Sequence, residues 1–231
     1  MPTADYYIAQ ALARSAAARP DLLATAAGEL LEQLNDVVEQ LFVDAAEANV
    51  PYFQAEATTT LVAGPPAHWP WPSNALRIFG ASVLVGTLGV DQAYWPPGEE
   101  VAIVPWHDAK HNDLQPCVAE RGRLLVPTGV SGHPTGGDLY VSYARRPIAM
   151  ATLTSTVDPD WPVAHNPAII DQLAHWLAVK DGRADDVVML RDEASNTYGR
   201  FLASLNLPVA AVRERVQRFR ADKPQRMRSG D

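Results

Sequence analysis

The chain has 231 residues, of which 47% are hydrophobic, and its net charge is −8. This composition excludes a disordered chain, and the acidic balance argues against a general nucleic-acid binder. The single cysteine excludes an intramolecular disulfide, and without a long apolar run or a signal peptide we expect a protein of the cytoplasm that does not enter a membrane.

The first 50 residues are predicted to be helical. Residues 4–19 are rich in alanine and have no interior glycine or proline, which favours a helix up to Pro20. Apolar residues then recur every three or four positions, which predicts an amphipathic helix that packs one face on a core or on a neighbouring subunit. These positions are Leu30, Leu34, Val37, Leu41 and Ala45, widened by Leu31, Val38 and Phe42.

The middle of the chain has a β-rich composition. Residues 51–163 hold 14 of the 19 prolines and five of the six tryptophans, and proline at this density does not allow long helices. Short apolar runs bounded by turn residues predict five or six strands. These runs are Ala57–Val62, Ala75–Val85, Val101–Trp106, Arg123–Val126 and Leu139–Tyr143.

Helices are predicted again near the end of the chain. Asn166 is a favoured N-cap, and Pro167 stands at the favoured first helical position. Gly182 separates this helix from a second one that runs to Leu205, and Pro208 opens a last helix. The candidate subunit-packing residues on these helices and on the early one are Leu34, Val38, Leu41, Trp176, Tyr198 and Phe201.

The order of these elements predicts an α+β fold. The N- and C-terminal helices form a helical body, and an antiparallel β-sheet or small β-barrel is inserted into it. The predicted segments are the N-terminal helices at 1–50, the β-rich insertion at 51–163, the C-terminal helices at 164–207, and a basic helix and tail at 208–231.

Charge is divided unevenly along the chain. Residues 212–231 carry seven basic and three acidic groups, a net +4, which leaves −12 on the rest of the chain. A basic tail on an acidic body indicates docking to an acidic partner surface. The alternative is a solvated helix end, where the helix dipole favours cations. The candidate docking residues are Arg213, Arg215, Arg218, Arg220, Lys223, Arg226 and Arg228.

Two patterns resemble catalytic motifs without completing them. His107 and His111 have the spacing of two metal ligands on a helix, and His133 follows later, but prolines flank the pair and the glutamate of a metalloprotease motif is absent. Ser131 lacks the second glycine of a nucleophile elbow. Cys117 is either a packing residue or a nucleophile. No nucleotide-binding motif is present, and we expect no cofactor.

The tryptophans allow two interpretations. Trp69 and Trp71 alternate with prolines, which suits a surface that stacks on a carbohydrate or a peptide. The same pair suits packing of a loop onto the sheet or a contact between subunits.

The chain resembles the head-to-tail adaptor, or connector, proteins of tailed bacteriophages, including the tail-tube-type adaptors of short-tailed phages. The resemblance covers roughly residues 25–205 and rests on the order of several short patterns. These are the helix Leu30–Val43, the proline-led strand entry Pro72–Ile78, the strand Leu139–Tyr143 followed by Pro147, the turn Asp158–Pro162, and the helices Asn166–Lys180 and Asp185–Leu205.

The resemblance implies a structural virion protein without enzymatic activity. It implies a homo-oligomeric ring, expected to be twelve-fold, that is assembled in the host cytoplasm beneath the portal protein and joins the DNA-filled capsid to a tail or nozzle protein. Packaged DNA would pass the acidic body without specific binding during ejection. The basic tail would then reach the portal.

Two other functions stay open on the residues alone. One is a small metal-dependent hydrolase with its site near His107, His111 and His133. The other is a receptor- or carbohydrate-binding virion module that uses Trp69, Trp71 and Trp95.

Overall fold

The computed structural model divides into a helical unit and a β unit. It describes residues 2–15, 27–48, 53–84, 98, 100–109, 117–128, 137–182, 184–205, 207 and 209–226. The helical unit comprises Met1–Tyr52 and Pro147–Asp231, and the β unit comprises Phe53–Arg146. The predicted α+β class, with a β-rich part inserted between helices, is confirmed.

The helical unit is built around one buried helix. Twelve of the fifteen residues of α3 are buried, because its apolar residues occupy more than one face and neighbouring helices cover them. Unlike the surface helices, α3 therefore has no solvent-facing stripe. The helices of this unit are α1 (Ala4–Arg14), α2 (Ala27–Glu47), α3 (Asn166–Lys180), α4 (Ala184–Ser204) and α5 (Val209–Arg226), with a 3₁₀ turn at Val163–His165.

Asn166 does not cap α3, contrary to the prediction. The cap position is His165, and Asn166 is already helical. Its Oδ1 accepts the hydroxyl of Tyr7 at 2.7 Å and the indole N–H of Trp161 at 3.1 Å. The side chain therefore joins α1 to the entry of α3, and tertiary hydrogen bonds replace the local cap.

The segment from Pro147 to Val163 belongs to the helical unit, so the predicted boundary at 163 is too late. Asn35 of α2 exchanges two hydrogen bonds with the backbone of Met150, at 2.9 and 3.0 Å. The backbone N–H of Ala4 donates to the carbonyl of Ser155 at 2.9 Å. Prolines made this segment resemble the β-rich part, but its backbone partners are helices.

The β unit contains one seven-stranded sheet among the described residues, in the order β1-β7-β3-β4-β5-β6-β2. The end strands approach each other, since the Thr59 hydroxyl donates to the Pro70 carbonyl at 2.8 Å, and the sheet is nearly a small barrel. The strands are β1 (Gln54–Thr60), β2 (Trp69–Pro70), β3 (Ala75–Val83), β4 (Glu100–Pro105), β5 (Cys117–Arg121), β6 (Leu124–Thr128) and β7 (Asp138–Arg145).

The sheet is mixed rather than purely antiparallel. β4 and β5 pair in parallel, with Ile103 opposite Val118, and the other pairs are antiparallel. A parallel pair needs a crossover connection, and the one between β4 and β5 begins with a single helical turn at Trp106–Ala109. The apolar pattern missed β5 because only Cys117–Ala119 of that strand are apolar and buried.

Candidate interaction surface on the C-terminal helices

All six predicted subunit-packing side chains lie in the core of one chain. Their exposed fractions are between 0% and 9%. They are therefore covered by the helical unit itself and are not available at its surface to a second copy, which corrects their assignment. They are Leu34, Val38 and Leu41 of α2, Trp176 of α3, and Tyr198 and Phe201 of α4.

The last helix, α5, lies against α4 through a half-buried apolar face. Gly199 of α4 faces Val216 of α5, and a Cβ at position 199 would make an ordinary van der Waals contact with Cγ2 of Val216, at 3.5 Å. The rings of Tyr198 and Phe219 are 5.0 Å apart. None of the α5 side chains described is fully buried, so α5 is a peripheral helix.

Arg215 fastens α5 to α2. Its Nη1 donates to the Asp44 carbonyl at 3.3 Å and lies 3.6 Å from Oδ1 of the same residue, while its Nη2 lies 3.0 Å from the Glu47 carboxylate. Only 18% of the Arg215 side chain is exposed. Arg215 is therefore a structural anchor within the chain, which corrects its assignment to a partner surface.

Asp44 is the buried acceptor of this anchor. The Tyr198 hydroxyl donates to Oδ2 of Asp44 at 2.7 Å. Burial raises the pKa of Asp44, although Tyr198 and Arg215 act in the opposite direction. Burial first, and then the charge of Asp44, raise the pKa of Tyr198 above its ordinary range. The tyrosine therefore remains a donor at neutral pH.

Sequence patterns did not single out Asp44 or Glu47, because each looks like one more charge on a solvated helix face.

Arg213 and Arg218 are exposed on α5. Arg218 also pairs with Glu214 one turn earlier, at 2.6 Å, and an exposed pair of this kind contributes little to stability. Arg220, Lys223 and Arg226 lie on α5 by their backbone positions. Arg228 lies outside the described residues. The described cations that α5 presents to solvent are therefore Arg213 and Arg218.

A groove of about 680 Å³ lies between α4 and α5. Its lining combines small or apolar residues with polar ones, and Arg200 and Arg213 are among the latter. Sequence reasoning missed Arg200, which lies outside the basic tail. The groove suits an apolar side chain flanked by carboxylates. The other lining residues are Ser195, Asn196, Gly199, Ala203, Val212, Val216 and Gln217.

The predicted catalytic candidates do not converge within the part of the chain that is described. His107 is exposed, and its Nε2 lies 3.4 Å from the Asp108 carboxylate. His111, Ser131 and His133 fall outside the described residues. Among residues whose positions are described, no group of three histidine, cysteine or acidic side chains could hold a metal ion. Cys117 is buried, with its Sγ 3.0 Å from the Thr128 hydroxyl.

The tryptophans divide between core and surface. Trp69 is fully buried, and its indole N–H donates to the Gly137 carbonyl at 3.1 Å, so it is not available to stack on a ligand. Trp71 is half-buried beneath the Arg123 guanidinium, which lies 5.6 Å from the ring centroid. Trp95 lies outside the described residues.

Arg215→Gln is expected to loosen α5 without unfolding the helical unit. The change removes charged hydrogen bonds of about 1.5–3 kcal/mol from the attachment of α5, so hydrogen exchange of the α5 amides should accelerate while exchange in α3 is unchanged. Arg213→Gln, on the exposed side of the same helix, is the matched control. Equal exchange in the two variants would contradict the anchoring role of Arg215.

Within the described residues, no helix has both the length and the apolarity that a membrane crossing requires. Comparison of the chain with protein-family models gives no match, and comparison with curated proteins gives none either.

Proposed function

We propose that this chain is a structural virion protein, a head-to-tail adaptor whose identical copies form a ring beneath a portal protein and join the DNA-filled capsid to the tail. The observation that carries the proposal is the pairing of an acidic helical unit with a peripheral basic helix. Residues 212–231 have a net charge of +4 on a chain of −8, and α5 keeps Arg213 and Arg218 exposed at the edge of the unit.

The attachment of α5 supports a docking role. Arg215 fixes the inner side of the helix to Asp44 and Glu47, so the outer side is presented in a defined orientation. A pre-oriented surface loses less conformational entropy on binding than a free tail. The groove beside α5, with Arg200 and Arg213, gives the acidic partner an apolar site next to two cations.

The division of the chain supports an adaptor rather than a single-site binder. Both ends of the chain build the helical unit, while residues 53–146 form a separate β unit. One polypeptide therefore offers the surfaces of two separate compact units, which suits an adaptor that contacts two neighbours. The twelve-fold ring, the portal and the tail protein are the partners that the family resemblance implies.

Deletion of residues 208–231 is expected to abolish binding to rings of the portal protein encoded in the same genome. Arg213→Gln combined with Arg218→Gln should slow association and reduce its salt dependence, because both charges are removed from the docking side. Surface plasmon resonance at several salt concentrations measures both effects.

The matched control for the double variant is Val188→Glu with Met189→Glu. It also lowers the charge by two, and it changes residues of α4 that are 53% and 54% exposed and do not line the groove. The control variant should have the same far-ultraviolet circular dichroism spectrum as the wild-type chain and should bind the portal equally well. Retained portal binding by the deletion variant would overturn the proposal.

A further inference from the structure

A paired arginine–tryptophan arrangement stands at one end of the β unit. The β5–β6 hairpin turns at Gly122, whose φ of +62° favours glycine, and it carries an arginine on each side of that turn. Arg121 lies 5.0 Å from the ring centroid of Trp106, and Arg123 lies 5.6 Å from that of Trp71. We name these four residues the Arg–Trp edge.

The Arg–Trp edge is ordered in advance of any partner. Nη2 of Arg123 donates to the carbonyls of Ser73 and Ala75 at 3.2 and 3.1 Å. The backbone N–H of Trp71 donates to the Arg123 carbonyl at 3.2 Å. Arginine side chains already held over aromatic rings lose little further conformational freedom on binding. Tryptophan and arginine are also among the side chains most enriched at the energetic centres of protein interfaces.

The edge also has an uncompensated positive charge. Arg121 and Arg123 are exposed, and neither is paired with a carboxylate in the described part of the chain. The nearby acidic residues interact with other basic residues, since Asp108 lies next to His107 and Glu120 interacts electrostatically with Arg77. The exposed arginines of the Arg–Trp edge therefore favour binding to an acidic protein surface.

This chain carries such an acidic surface on α2. Glu32, Asp36 and Glu39 follow one another at helical spacing, and the first two are exposed. Within the described residues neither Glu32 nor Asp36 has a cationic partner. Partial burial and the charges of Glu32 and Glu39 raise the pKa of Asp36. We name Glu32, Asp36 and Glu39 the acidic ridge. Like charges one turn apart destabilise a helix, so a cation placed against the acidic ridge relieves the repulsion.

We infer that the Arg–Trp edge of one copy docks on the acidic ridge of a second copy. The edge is in the β unit and the ridge is in the helical unit, so the contact joins two different surfaces. A contact of this heterologous kind repeats from copy to copy and closes into a ring when its rotation allows. The inference rests on the proposed ring and names the two surfaces that build it.

The test is a charge exchange between two full-length variants. The edge variant is Arg121→Glu with Arg123→Glu, and the ridge variant is Glu32→Lys with Asp36→Lys. Each alone places like charges on both sides of the contact, so self-association measured by sedimentation at low salt should weaken roughly tenfold or more. In an equimolar mixture every edge again meets a ridge of opposite charge, and assembly should return.

The outcomes separate this inference from the proposed function. Assembly of either variant at wild-type strength, no recovery in the mixture, or a wild-type protein that stays monomeric at millimolar concentration and low salt would overturn the edge–ridge contact. Portal binding through residues 208–231 is measured separately with monomers, so its loss would count against the adaptor role alone. Circular dichroism of each variant checks that the fold is intact.

Discussion

Asn166→Ala is expected to lower the free energy of unfolding of the helical unit by about 1–3 kcal/mol for each of the two buried donors that lose this acceptor. These donors are the hydroxyl of Tyr7 and the indole N–H of Trp161, which both meet Oδ1 of Asn166. Water does not replace the lost oxygen easily, because both partner side chains are at most 4% exposed. Urea unfolding followed by tryptophan fluorescence measures the loss.

Asn166→Asp is the matched control, since it keeps an oxygen at the same position and places a negative charge at the N-terminus of α3, where the helix dipole favours it. The aspartate variant should retain most of the stability that the alanine variant loses. Equal losses in the two variants would show that the position matters for its packing volume and not for its acceptor.

Trp69→Ala is expected to cost about 3–5 kcal/mol, the loss typical of a large aromatic side chain removed from a core. Trp69 is completely buried in a cluster that includes Leu125, Leu139 and Val141. It also donates to the Gly137 carbonyl, so it ties the short strand β2 to the start of β7. The β unit should lose most of its cooperative unfolding transition.

The loss is expected to be confined to the β unit, because the helical unit has its own core around α3. Hydrogen exchange should accelerate across β1 and β7 while the amides of α3 keep their protection. Trp69→Phe is the control, since it keeps most of the volume and loses only the hydrogen bond, at about 0.5–1.5 kcal/mol. Uniform loss of protection in both units would contradict this division of stability.

Apolar spacing predicted the helices well because it reflects which face meets a core. The periodic run from Leu30 to Ala45 lies within α2, and the last helices begin and end close to the expected residues. The same spacing gave the wrong partner for these residues. A hydrophobic stripe specifies burial, but it does not say whether the covering surface belongs to the same chain or to another copy.

Charge patterns were informative for the chain as a whole and uninformative for single residues. Counting acidic and basic residues is enough to show that the C-terminal end is basic and that the rest of the chain is acidic. Arg215 and Arg213, two residues apart, nevertheless differ completely, since one is an anchor to Asp44 and Glu47 and the other is exposed. Helical geometry turns side chains two residues apart to different faces, and only the position of α2 decides which arginine meets a carboxylate.

By itself, the sequence determined the α+β class, the helices at both ends of the chain, most of the strands and the basic character of the last helix, because each depends on local spacing or composition. The tertiary structure alone decided the parallel pairing of β4 and β5, the membership of residues 147–163 in the helical unit, and the anchoring of Arg215. Each of these depends on partners distant along the chain. Local patterns specify which groups need a partner, but they do not specify which partner the fold supplies.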